Sequence, residues 1–348
     1  MPSTRDDPVL VRACRGEPVD HVPVWFMRQA GRSLPEYRAL RGSGSILEAI
    51  RDPVVASEIT LQPVRRYGVD GAVLFSDIVV PYHLAGFGID VVPGRGPVVA
   101  EPVRTRADVE RLRPPTVEEL APVSEAVTLA LRELSTTATP LIGFAGAPFT
   151  VASYLIEGGP SREFGQVKSL MHRDPDLWDR LCERIVAATI AFLDAQIDAG
   201  ATVVQLFDSW AGALSRSEYA RFARGPSARI LAHVRSRQVP TILFGVGTGE
   251  LLDLMAGAGS DVMGIDWRVD LNDARRRVGG RPVQGNLDPA RCLAGADLAI
   301  EATREVLACA GEEAGHIFNL GHGVLPSTDP EVLAAVVRVV HEEGRAGR

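Results

Sequence analysis

The stretch DPDLWDRLCERIVAATIAFLDAQIDAGATVVQLFDS, Asp174–Ser209, passes from one periodicity to another. Up to Gly200 its apolar residues recur at helical spacing, which predicts one long amphipathic helix. Asp174 offers a side-chain acceptor to the unpaired amides of the first turn, Pro175 presets the first helical φ, and Gly200 supplies the close. The remainder, TVVQLFDS, is short, apolar on both sides and ends on polar residues. A strand of that kind belongs to a parallel sheet covered on both faces.

The same unit recurs along the chain. VPVWFM (22–27), GAVLFSD (71–77), PLIGFAGAP (140–148), TVVQLFDS (202–209), PTILFGVGTG (240–249), DVMGIDW (261–267), RPVQGNLD (281–288) and HIFNLGHG (316–323) make eight candidate strands. Helical periodicity occupies 52–68, 117–135, 174–200, 215–236, 250–259 and 329–344. Eight β/α units in 348 residues predict an α/β fold of one domain, a (β/α)8 barrel over residues 1–348 with short flexible ends; an open doubly wound sheet is the alternative. The segment GFGIDVVPGRGPVVAEPVRT (86–105) interrupts the alternation and predicts a small hairpin inserted after the second strand.

Composition narrows the class. Apolar residues are 46% and charged residues 23% of the chain, the balance of a folded globular protein. A net charge of −7, with no basic run interleaved with aromatics, argues against nucleic acid as a partner. No apolar run reaches the roughly 20 residues that span a bilayer, and MPSTRDDPVL lacks the core of a signal peptide, so a cytoplasmic location without membrane attachment is expected. Cys14, Cys182, Cys292 and Cys309 have no paired spacing and are expected to be reduced thiols.

In a barrel, residues just past the strands converge on one end, where the loops into the helices build the site. Arg28 and Arg32 follow the first run, with Arg41 a little beyond on the same loop. Asp77 follows the second, Tyr154 comes soon after the third, Ser209 follows the fourth, and His322 the eighth. Singly, each has a plain structural role: Asp77 and Ser209 as turn caps, Arg32 as a solvated arginine, Tyr154 as a packed ring. Their coincidence at one pole favours a site. A guanidinium holds a carboxylate through two parallel hydrogen bonds, so arginines gathered on one loop anticipate an anionic ligand with several carboxylates or phosphates.

Other chemistries find less support. GVGTGE (245–250) has Glu250 where a dinucleotide fingerprint has its last glycine, although Asp266 stands at a suitable distance. There is no Walker A motif and no G-x-S-x-G elbow. The seven histidines and four cysteines form no His-x-Cys, Cys-x-x-Cys or His-x-x-x-His pattern, so neither a metal nor a cofactor is expected.

PVWFMRQAGRSLPEYR (23–38) resembles the first signature of the uroporphyrinogen decarboxylases, and GFAGAPFTVASYLIEGG (143–159) resembles the second. FSDI at Asp77, LFDSWAG at Ser209 and FNLGHGV at His322 are similar to further segments of that family. The resemblance spans nearly the whole chain. It implies a (β/α)8 barrel, a homodimer and cofactor-independent loss of carbon dioxide from the four acetates of uroporphyrinogen III, giving coproporphyrinogen III in heme synthesis. By the same resemblance Arg28, Gln29, Arg32 and Arg41 bind substrate carboxylates and Asp77 takes the pyrrole N–H groups. Tyr154, Ser209 and His322 bind other polar groups, Phe207 lines the apolar part, and Asp77, Arg28 and Tyr154 are the catalytic candidates. Ser33 departs from the family, which usually has an aromatic residue there. Two alternatives are a zinc-dependent corrinoid methyltransferase, which should carry cysteine ligands near the last strand, and a non-catalytic tetrapyrrole carrier.

Overall fold

The structure is a computed structural model that describes residues 7–345 apart from 43 and 93. The flexible ends expected at residues 1–6 and 346–348 lie outside the described residues. Among the described residues nine strands are formed: β1 (Ala72–Val73), β2 (Ile89–Val92), β3 (Gly96–Val99), β4 (Leu141–Gly146), β5 (Val203–Asp208), β6 (Thr241–Gly245), β7 (Val262–Gly264), β8 (Val283–Gln284) and β9 (His316–Ile317). Seven of them build one parallel, curled sheet in the order β1-β4-β5-β6-β7-β8-β9. β2 and β3 pair with each other antiparallel, Ile89 opposite Val99.

The expected first strand, 22–27, is not a strand. It lies between the two edges of the sheet and makes a single parallel bridge, Val24 to Phe318. Trp25 N–H donates to Phe318 O at 3.3 Å and Phe318 N–H to Pro23 O at 2.8 Å, while on the other side Asp70 N–H donates to Val24 O at 2.8 Å. The reason the ladder stops there is that side chains have taken the amides. Val24 N–H donates to Asp70 Oδ2 (2.8 Å), Phe26 N–H to Gln29 Oε1 (2.9 Å) and Met27 N–H to Asn319 Oδ1 (3.1 Å). Pro23 has no amide to give.

Outside the sheet the helices follow their sequence signals. Pro175–Asp198 starts on Asp174, whose carboxylate accepts from Leu177 N–H at 3.0 Å, and buries Trp178, Leu181, Ile185 and Phe192. A cap of this type is worth about 1 kcal/mol. The helix is latched to β4 by one amide: Gln196 Oε1 accepts from Phe144 N–H (2.8 Å) and Gln196 Nε2 donates to Phe144 O (3.1 Å). Gly143 makes room for the latch, since a Cβ there would stand 2.8 Å from Gln196 Oε1.

Other elements depart from expectation. The region 215–236 is broken by a π-turn at Tyr219–Ala223 before the helix Arg224–Ser236. The helix Ala296–Ala310, unforeseen from sequence, buries Ala299, Ala302, Thr303 and Ala310, a face too small-sided to read as an apolar stripe. Inside the curl of the sheet the filling is partly polar. Trp25 Nε1 donates to Gln284 Oε1 at 3.0 Å and Gln284 Nε2 to Gln205 Oε1 at 2.8 Å, all three residues being buried.

Candidate active site

A cavity of about 580 Å3 opens at the C-terminal ends of the parallel strands. Arg28, Arg32, Asp77, Tyr154, Phe207, Ser209 and His322, seven of the nine candidates, line it. Its apolar part is an edge-to-face series: Phe144 and Phe207 lie 5.4 Å apart at 85°, Phe207 and Phe244 6.0 Å apart at 77°. Such pairs prefer this geometry and keep the floor rigid.

Arg28 is placed by its backbone. Its φ of 61° lies in the left-handed region, rare for a residue with a side chain and a conformation retained where surrounding structure enforces it. The stem then runs over Gly323, where a Cβ would meet Arg28 Cδ at 2.5 Å and Cγ at 2.8 Å. Glycine at 323 is therefore what lets Arg28 reach the cavity. The head remains exposed, as does that of Arg32.

Asp77 sits past β1 and keeps part of its surface open to the cavity. Its Oδ1 accepts from Val79 N–H at 3.1 Å, so the turn-capping role is real, but the residue also lines the cavity. Burial of the carboxyl raises its pKa, opposed by Val79 N–H, the Arg28 charge and Ile78 N–H. Tyr154 lies within the field of both groups. Its hydroxyl is pushed up to about 12, by burial first and then by Asp77, with Arg28 opposing, so it stays a protonated donor. Trp210 covers the ring, centroids 4.0 Å apart.

His322 Nδ1 accepts from Gly323 N–H at 2.6 Å, which leaves the proton of the neutral ring on Nε2. Burial, then Arg28 and Arg268, push its pKa down to about 4 against Asp266. At neutral pH the ring is an uncharged N–H donor.

Two candidates are not brought to the cavity wall. Gln29 is buried and spends its amide on structure, donating to Gly71 O at 2.9 Å and accepting from Phe26 N–H. Its side chain is buried and holds the loop rather than lining the cavity. Arg41 donates to Gly44 O at 2.6 Å and its guanidinium stands 5.6 Å from the centroid of Tyr37, a ring that does line the cavity. Ser33 is buried with its hydroxyl beside that of Tyr67, so the loop closes over a small side chain.

Sequence reasoning missed part of the wall. Val91, Gly96 and Pro97 of the β2–β3 pair face the cavity, as do Tyr37 and Trp210. Tyr37 and Trp210 lie within the quoted segments PVWFMRQAGRSLPEYR and LFDSWAG, and the other three lie in the predicted hairpin, yet nothing local marks any of them as facing a cavity. Asp208 also escaped notice. Fully buried beside Ser209 in the chain, it accepts from Thr150 Oγ1 at 2.8 Å while its Oδ2 has no hydrogen-bond partner among the described residues, and burial pushes its pKa up to about 6.

An exposed pair of arginines, a half-open carboxylate and two neutral donors around an aromatic floor define an α/β enzyme built to handle carboxylates. The comparisons agree. The family model described as Uroporphyrinogen decarboxylase (URO-D) matches residues 5–343. The uroporphyrinogen decarboxylase of Salinispora tropica is 58% identical over 342 residues, covering 98% of this chain and 92% of the relative. That of Streptomyces coelicolor is 57% identical, covering 98% and 96%. The chain belongs to the uroporphyrinogen decarboxylase family. Among solved structures, a methyltransferase from Methanosarcina mazei superposes with a TM-score of 0.81 at 23% identity over 98% of this chain and 99% of the other, a likeness of fold.

Proposed function

We propose that the cavity binds uroporphyrinogen and removes carbon dioxide from its acetate side chains, the carboxy-lyase activity that the family carries in porphyrin biosynthesis. The observation that carries the site assignment is Asp77, a carboxylate held beside Arg28 in the wall of an arginine-rimmed, apolar-floored cavity. The substrate is a polyanion whose inner ring presents only N–H donors. Arginines suit its periphery and a carboxylate suits its centre.

An acetate on an aromatic pyrrole cannot lose carbon dioxide until the ring can take the electrons left behind. Protonation of the ring carbon next to the one bearing the acetate creates that sink. The C–C bond to the carboxylate breaks and its electron pair forms a double bond between the exocyclic carbon and the ring, neutralising the cation; a proton added to the exocyclic carbon completes the methyl group, and loss of the proton first placed on the ring restores the pyrrole. Asp77 offsets the cation. At about 4 Å and an effective dielectric near 20 the attraction is about 4 kcal/mol, about a thousandfold in rate before desolvation. Arg28 and Arg32 grip carboxylates, and Tyr154 and His322 donate from neutral groups, adding no charge that would compete with Asp77.

Two finer features go with this reading. The run 22–27 serves as the eighth stave of a closed (β/α)8 barrel in one domain, supported by its bonds to Phe318 on one side and Asp70 on the other. The chain works as a cytoplasmic homodimer, by the family resemblance; among the described residues no helix is long and apolar enough to cross a membrane. Sedimentation should give about twice the 37.3 kDa chain mass. The deciding experiment is anaerobic incubation with uroporphyrinogen, oxidation of the products and separation of the fluorescent porphyrins. Species with seven to four carboxylates should accumulate without added cofactor; unchanged eight-carboxylate porphyrin would refute the reading.

A further inference from the structure

The pole of the sheet opposite the cavity carries a cluster that decarboxylation does not use. His21 directly precedes the run 22–27, Asp70 stands just ahead of β1, and His341 lies near the end of the helix Pro330–Glu343. His21 Nε2 is 3.0 Å from Asp70 Oδ1, and His341 Nε2 is 2.8 Å from Asp70 Oδ2. The imidazoles meet edge to face with centroids 4.8 Å apart, and one ligand atom from each of the three residues lies within 4.8 Å of the others. The positions are 49 and 271 residues apart, which is why no spacing pattern revealed them.

We propose that His21, Asp70 and His341 bind one divalent transition-metal ion of the zinc class. Two imidazoles and one carboxylate are a donor set that zinc accepts, at bond lengths of about 2.0–2.2 Å. Tetrahedral coordination at those lengths sets neighbouring ligand atoms about 3.4 Å apart. For that the present N···O separations need to open by about half an ångström, and the ring nitrogens, now within 4.8 Å of each other, need to settle at the same spacing. Both rings can make the adjustment, since their side chains are 31% and 33% exposed, and the same exposure gives an ion its way in and leaves a fourth position for water. Asp70, only 12% exposed, is held from behind by Val24 N–H, the kind of outer hydrogen bond that orients a metal-ligating carboxylate. Hard cations such as calcium and magnesium want six or more oxygens and are poorly served here.

Without an ion, a proton on each Nε2 fills the gap to Asp70. Metal must displace these protons, so binding should strengthen as pH rises. The three ligands come from the segments where the ring of strands begins and ends, so an ion there would fasten the fold rather than serve the cavity.

The test is calorimetric titration of chelator-stripped full-length protein with zinc chloride at pH 8, in two buffers of different ionisation enthalpy. One ion per chain, proton release, a raised Tm and at least about tenfold weaker binding at pH 6 are expected. His341→Ala and His21→Ala, at partly exposed rings, should each weaken binding by about ten- to a hundredfold with the far-ultraviolet spectrum unchanged. Decarboxylation should be indifferent to zinc and chelator. Absence of binding would make the cluster a hydrogen-bonded clasp and overturn the proposal. Zinc held equally well by the His21→Ala/His341→Ala double variant would place the ion on other groups and overturn it too.

Discussion

Gly323→Ala tests how Arg28 is placed. The added Cβ would stand 2.5 Å from Arg28 Cδ, 2.8 Å from Cγ and 3.2 Å from Cβ. Three successive stem atoms are met, so turning only the far end of the side chain relieves nothing. The stem must swing away, and the guanidinium leaves its place. Position 323 has no positive φ, so alanine itself is tolerated by the backbone and the fold should persist. If Arg28 makes a charged hydrogen bond to a substrate carboxylate, losing it costs about 1.5–3 kcal/mol, about 10- to 150-fold in kcat/KM. Arg28→Ala should cost a similar amount. In that background the Cγ and Cδ contacts no longer exist, and adding Gly323→Ala should cost less than about threefold, a non-additivity expected of touching residues. Rates would come from the fluorescence of oxidised products and folding from circular dichroism and Tm. Equal losses from Gly323→Ala with and without Arg28 would show that alanine acts through something other than the arginine stem, and the reasoning would be wrong.

Three other outcomes follow from the same geometry. Asp77→Asn keeps the shape and an acceptor for pyrrole N–H, so binding measured anaerobically by fluorescence quenching should change by less than about tenfold while turnover falls by about two orders of magnitude or more; near-normal turnover would leave Asp77 only a positioning role. Arg32→Lys replaces a two-pronged grip by a point charge and should raise KM by the equivalent of about 1 to 3 kcal/mol; a wild-type KM would make Arg32 a solvated arginine. Asp208 is protonated in the folded state up to about 6 but in the unfolded chain only to about 3.8. The folded state therefore holds the extra proton between those values, and stability is lost as pH rises through them. Asp208→Asn, which cannot ionise, should gain up to about 3 kcal/mol on wild type between pH 4 and pH 7 in urea unfolding, and a difference independent of pH would contradict this.

How much could be read beforehand differs from element to element. The helix Pro175–Asp198 was legible because a wide apolar stripe and a local cap specify it without reference to the rest of the chain. Pro148–Glu157, which carries Tyr154, was not delimited as a helix, since Pro148 through Ser153, Leu155 and Ile156 are all buried and no polar face marks its period. Strand ends were legible as runs stopping at Arg28, Asp77, Ser209 and His322, and those four do line the cavity. Gln29 shared the same motif but faces inward, a direction fixed by Gly71 O and Phe26 N–H.

By itself, the sequence determined the alternation of buried strands with capped helices, the chemical kinds of group at the strand ends and, through two long signatures, the family. These depend on local periodicity and on residue identity, both of which survive without a three-dimensional frame. Tertiary structure alone decided which of those groups share a cavity, that Gly323 makes way for Arg28, that β2 and β3 supply a wall, and that His21, Asp70 and His341 meet across separations of 49 and 271 positions. Each of these is a distance between residues remote in the chain. It is set by how the sheet curls and how helices pack on it, and no short window of sequence contains it.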